Sequence, residues 1–316
     1  MKISLLLTPL LFALGSCTKK QPAEATTNDT IVTTIGMIGD VTREIVGDKR
    51  DVINLIGEGV DPHTHKPLKS EMDHIQNAGL VLYNGHLLEG KMATLLEVRH
   101  KEGKPVLAVA EKLDHVEIIG GADHPDPHLW MDVSIWSRVT ENITKRLIEF
   151  DPENAPDYQA RSAKYRENLG ALHDYALMVF GTIPPDQRVL VTAHDAFSYL
   201  GRAYGIEVRG IQGISTESEA GTKDLSDLVD YLVAKKIPAI FVESSVSDKS
   251  VRAVVEGAAA QGHTVKIGGE LFSDAMGPEG TYEGTYIGMM DHNITTIVNG
   301  LGGGAPLTGF QNKLDV

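Results

Sequence analysis

The tripeptide Asp-Pro-His occurs twice in this chain, as Asp61-Pro62-His63 and as Asp126-Pro127-His128. In each copy the proline fixes φ at about −65° and pushes the residue before it away from helix. Each copy is therefore a stiff loop that presents one imidazole, with a carboxylate two residues upstream placed to orient the ring. His194 and Asp274 also sit in loops, each after an apolar strand-like run, at Arg188 to Thr192 and Thr264 to Ile267. Three imidazoles and one carboxylate suit a borderline divalent ion such as zinc. With twelve histidines in the chain many other triples exist, so loop position alone does not single this set out.

The elements that would carry these loops follow an alternating pattern. Strands are expected at Ile31 to Ile35, Val52 to Ile56, Leu80 to Tyr83 and Pro105 to Val109, with helices between them. Asp132 is placed to cap a helix running to Phe150, and Asp195 to begin another. A single long helix is expected from Pro156 to about Thr182, with an apolar stripe through Tyr158, Tyr165, Leu169, Leu172, Ala176 and Val179. At ~1.5 Å per residue it spans about 40 Å, enough to join two lobes as a strut. The alternation then restarts, with strands at 188–192, 206–208, 239–242 and 264–267 and a final helix over about 283–299. The fold class expected is α/β: two lobes with mostly parallel sheets, joined by one long rigid helix. Ligands of such sheets lie outside the carboxyl ends of the strands, so the metal site belongs in the cleft between the lobes.

The chain has 316 residues, 42% of them hydrophobic, and a formal charge of −14 with no basic cluster beyond its start. Nucleic acid is thereby excluded as a partner. Met1-Lys2 followed by the apolar stretch Ile3 to Leu14, too short to span a bilayer, reads as a signal peptide. It ends in Leu14-Gly15-Ser16-Cys17, and Cys17 is the chain's single cysteine. That pattern resembles a bacterial lipobox, with cleavage before Cys17 and acylation of its thiol. Thr18 to Thr30 is polar and reads as a tether.

From Ile31 onward the chain resembles the TroA-like family of zinc- and manganese-binding lipoproteins, receptors of bacterial ABC metal importers. The resemblance is carried by Gly59-Val60-Asp61-Pro62-His63, Tyr83-Asn84-Gly85, Asp126 to Asp132, Val191 to Phe197, Phe241 to Ser245 and Gly268 to Gly277. It implies the two-lobed fold with its connecting helix, and it places the ligands on His63, His128, His194 and Asp274. It further implies one Zn2+ or Mn2+ per chain, a membrane permease as partner, and a monomer held outside the cytoplasm by a lipid anchor. The domain limits expected are 1–16 for the signal, 17–30 for the tether, 31–153 and 184–316 for the lobes, and 154–183 for the helix. Two residues depart from the pattern. His65 stands where a tyrosine is common and is expected to be solvated; His194 stands where manganese-dedicated members carry glutamate. The loop before His128 lacks the histidine-rich insertion of zinc-dedicated members.

Other readings are testable. A zinc-dependent hydrolase would keep an open coordination position and often a His-Glu-x-x-His stretch, which this chain lacks. A surface adhesin with a structural metal has no signature to read. A sugar or amino-acid cleft would call for aromatic platforms, and aromatic residues make up 6% of the chain. No enzyme activity is expected. Glu243 is expected to support a ligand or cap a helix, and Met276, Met289 and Met290 to pack.

Overall fold

The computed structural model describes residues 29–121 and 123–315; Cys17, the signal segment and nearly all of the tether lie outside the described residues. β-Branched and apolar runs form β1 (Ile31–Thr33), β2 (Val52–Asn54), β3 (Leu80–Tyr83) and β4 (Val106–Ala108). They make one parallel sheet in the order β2-β1-β3-β4, with Ile31 opposite both Val52 and Leu80. β1 is buried throughout, and so are Leu80 to Leu82 of β3, as befits central strands covered on both faces. The covering helices of this lobe are α1 (Gly36–Val46), α2 (Lys69–Asn77), α3 (Ala93–Lys101) and α4 (Val133–Phe150). Asp132 caps α4 as its position implies, accepting from Ser134 N and Ile135 N.

The long helix α5 (Ala155–Phe180) buries Tyr158, Tyr165, Leu169, Leu172, Ala176 and Val179. It packs on α1 and α4 of the first lobe and on α6 (Ser198–Tyr204) and α9 (Tyr286–Gly300) of the second. The main apolar core is continuous through it, running from Ile31 and Trp136 to Phe197, Met290 and Ile294. The helix is therefore less a free strut than the shared wall of both lobes.

In the second lobe β5 (Val189–His194) pairs in parallel with β6 (Glu207–Gln212), and β7 (Ala239–Glu243) with β8 (Lys266–Leu271). β5 runs beside β7, and α7 (Thr222–Lys235) and α8 (Lys249–Ala260) cover them over a smaller core of Val191, Leu232, Ile240 and Val254. Asp195 does not begin α6: the helix starts at Ser198, whose hydroxyl Asp195 accepts at 2.8 Å. No helix among the described residues is long and apolar enough to cross a membrane.

Asp151 fastens the loop before β2 to the start of α5. Its Oδ2 accepts from Arg50 Nε at 2.8 Å, Tyr158 OH at 2.6 Å and Asn154 Nδ2 at 2.9 Å. Burial alone would raise this carboxyl, but those donors outweigh it and hold the pKa at about 2, below the ordinary 3.8. The stabilisation is complete above the unfolded value and disappears as pH falls from there through about 2. Asp151→Asn should cost about 2 kcal/mol at neutral pH in urea unfolding of metal-free protein, with the difference from wild type closing as pH falls from 4 toward 2. A constant difference across that range would contradict the assignment.

Candidate metal centre

Parallel pairing sends the carboxyl ends of the strands in each lobe toward one edge, and the two edges face each other. His63 lies in the loop after β2, His128 in the long connection after β4, His194 at the last position of β5, and Asp274 three residues beyond β8. All four are buried, with exposures from 0 to 5%. One ligand atom from each lies within 4.8 Å of all the others, and theirs is the one such group found among the described residues.

The individual separations are informative. His63 Nε2 lies 3.3 Å from His128 Nε2. Asp274 places one oxygen 3.3 Å from His128 Nε2 and the other 3.3 Å from His194 Nε2 and 3.9 Å from His63 Nε2. Tetrahedral zinc with bonds of about 2.0–2.1 Å puts its ligand atoms roughly 3.3 Å apart. Neither oxygen of Asp274 accepts a hydrogen bond, and His194 Nε2 has no hydrogen-bond partner. Buried polar atoms left this way are costly unless a cation sits among them. Three nitrogens and a carboxylate therefore form a donor set that fits one divalent ion.

Each ring is aimed from behind. His128 Nδ1 meets Asp126 Oδ1 at 2.7 Å, and the same oxygen accepts the His128 amide at 2.9 Å. His194 Nδ1 meets Glu243 Oε2 at 2.5 Å, and Glu243 Oε1 accepts the His194 amide at 2.8 Å. Holding Nδ1–H in this way leaves each Nε2 as the metal-facing atom. The first Asp-Pro-His copy works differently: Asp61 takes the His63 amide at 2.8 Å but not the ring, and its other oxygen accepts Thr216 Oγ1 of the second lobe at 2.6 Å. Asn84 Nδ2, at the end of β3, holds the carbonyl of Pro127 at 3.0 Å, and buried Glu89 fixes that strand end by accepting the amides of Asn84 and Gly85.

One expectation needs correction. His65 is not solvated: its Nε2 pairs with Glu71 at 2.9 Å, away from the cage and half-buried. The Asp274 segment is firmly held: Gly268 and Gly269 belong to β8, and the Gly277 amide donates to Glu283 O at 2.9 Å. The chain there closes on itself so tightly that a Cβ on Gly284 would meet Pro278 O at 2.2 Å. Trp130 and Thr216, which link this region across the lobes, carried no sequence signal beyond the motif in which Trp130 stands.

Burial pushes His63 down to about 4, against the pull of Asp274. For His128 burial acts the same way but is outweighed by Asp126 and Asp274, which bring it up to about 9. His194 is likewise raised despite burial, by Asp274 and Glu243. Asp274, which burial alone would raise, is held well below the carboxylate range by His194 and His128. The metal-free cage thus holds protons where the ion's charge would sit.

The chain matches the family described as zinc-uptake complex component A, periplasmic, over residues 31–300. It is 42% identical over 293 residues to the manganese-binding lipoprotein MntA of Bacillus subtilis (strain 168), covering 92% of this chain and 95% of that one. It is 41% identical over 297 residues to the zinc-binding protein TroA of Treponema pallidum (strain Nichols), covering 94% and 95%. The solved structure of the periplasmic zinc-binding protein TroA from that organism superposes with a TM-score of 0.84 at 42% identity, over 87% of this chain and 99% of that chain.

Because His128 and His194 carry protons at neutral pH in the metal-free protein, an ion must displace them. Calorimetric titration in buffers of different ionisation enthalpy should report about two protons released per ion at pH 7, with the His128 share falling away above about pH 9. Affinity should fall steadily as pH drops below that point. Glu243→Gln should remove about one of the released protons. Release near zero at pH 7 would overturn this account.

Proposed function

Since the chain belongs to the zinc-uptake complex component A family, we propose that it is the extracytoplasmic receptor of a metal ABC importer. It captures one Zn2+ or Mn2+ with His63, His128, His194 and Asp274 and delivers it to a membrane permease. The observation that carries this reading is the buried cage itself, whose inward-facing atoms have no hydrogen-bond partner at His194 Nε2 or at either Asp274 oxygen. The ion is cargo, and the protein is not an enzyme. A catalytic zinc keeps one position open for water, whereas four protein donors here surround a site with exposures no higher than 5%.

Three imidazoles and a single carboxylate favour zinc over manganese by the Irving–Williams order. Relatives of similar identity are named for each metal, so the preference is argued from the donors. The lobes are assigned to 31–153 and 184–316, with 154–183 as the connecting helix. The protein works as a monomer, tethered by a lipid on Cys17 to a bacterial membrane, in the periplasm or at the cell surface.

Two experiments test the reading. Titration with both metals should show Asp274→Ala weakening each, manganese more than zinc, because an oxygen ligand suits manganese and nitrogen suits zinc. His194→Glu should move the ratio toward manganese. Unchanged affinity in Asp274→Ala would remove that residue from the site. For the anchor, Cys17→Ala should shift the exported protein from the membrane to the soluble fraction and remove the mass of the acyl chains. Unaltered fractionation and mass would end the lipoprotein proposal.

A further inference from the structure

Of the four ligands, His128 and Asp274 come from different lobes yet are tied together through one residue. Trp130 is fully buried, two positions after His128, and its ring stands edge-on to that imidazole with centroids 5.2 Å apart. Its indole Nε1–H donates to the carbonyl of Ser273, the residue before Asp274, at 2.8 Å. Its own carbonyl accepts the hydroxyl of Tyr286 at 2.7 Å. Tyr286 opens α9, immediately after the segment that Asp274 begins. The Asp274 segment is thus held at both ends by a single residue of the first lobe, and between those ends it is packed on itself at Gly277 and Gly284. Tyr286 is fixed in turn: its amide donates to Asp40 of α1 at 3.1 Å and its ring stacks on Trp136 at 5.4 Å.

We propose that Trp130 is a positioning residue that sets the distance from His128 to Asp274, and thereby favours a small tetrahedral ion over a larger one. The inference rests on the reading that these four residues hold the ion. Zinc bonds of about 2.0–2.1 Å require ligand atoms roughly 3.3 Å apart, the separation found between His128 Nε2 and Asp274. A bond from an indole N–H to a backbone carbonyl is a stiffer spacer than packing alone, because it fixes direction as well as distance. Without it the Asp274 segment can relax outward, which costs the smaller ion its fourth bond and costs the larger ion little.

Zinc and cadmium separate size from donor chemistry, since both accept nitrogen ligands readily. Affinities by chelator competition should show Trp130→Phe, which keeps the ring and loses the N–H, weakening zinc about tenfold and cadmium less than about threefold. Tyr286→Phe should shift the ratio the same way by a smaller factor. A merely structural role would weaken both ions by the same factor, and that result, or no change in either variant, would overturn the inference. If Trp130→Phe does not fold by circular dichroism, Tyr286→Phe alone decides by the same ratio. If wild-type protein binds neither ion, the metal reading itself fails and this inference with it.

Discussion

A carboxylate sealed away from water among three imidazoles governs the whole arrangement. Asp274 is 1% exposed, with His128 Nε2 and His194 Nε2 each 3.3 Å from one of its oxygens. Such a charge is tolerable only where positive charge stands against it. Without a metal, imidazoles whose pKa this carboxylate raises supply that charge; in the proposed complex the ion would. The folded state and the binding event therefore draw on the same electrostatic requirement, and the site remains a compact cage instead of filling with solvent.

Everything around the cage serves to keep its parts in register. α5 welds the lobes through one continuous core, so gross separation of the lobes would expose apolar surface along the whole helix. Local rearrangement is cheaper. The two first-lobe histidines of the cage differ in how they are held. His128 is backed by Asp126, Asn84 through Pro127, and Trp130, whereas the His63 loop reaches the second lobe by the Asp61–Thr216 hydrogen bond. Thr216 sits in an exposed connection between β6 and α7.

Much of this was legible in the sequence, for reasons that can be stated. His63 and His128 announce themselves because proline stiffening is a local effect, visible in three residues. His194 and Asp274 follow from strand-to-loop transitions, which hydrophobic runs mark, although the resemblance to a family was needed to select one among twelve histidines and the other among 43 acidic residues. The connecting helix was readable from its apolar stripe, and its role as a shared wall was not, because the stripe does not say which elements it will meet. What stayed hidden depends on residues far apart in the chain: Trp130 with Ser273, Thr216 with Asp61, and Tyr286 with Asp40. The packing of the Asp274 segment shows the same limit. Gly277 and Gly284 permit close approach of chain to chain as readily as they permit motion.

The two backing carboxylates also differ in how soon they can act during folding. Asp126 is two residues from His128, so that ring acquires its orientation as soon as one short loop closes. Glu243 is 49 residues from His194 and belongs to another strand, so that ring is aimed only after β7 has come to lie beside β5. Contacts of long sequence separation form late, because loop-closure entropy must be overcome first. By that criterion the His128 ring needs only its own loop to be aimed, whereas the His194 ring needs two strands of the second lobe in place.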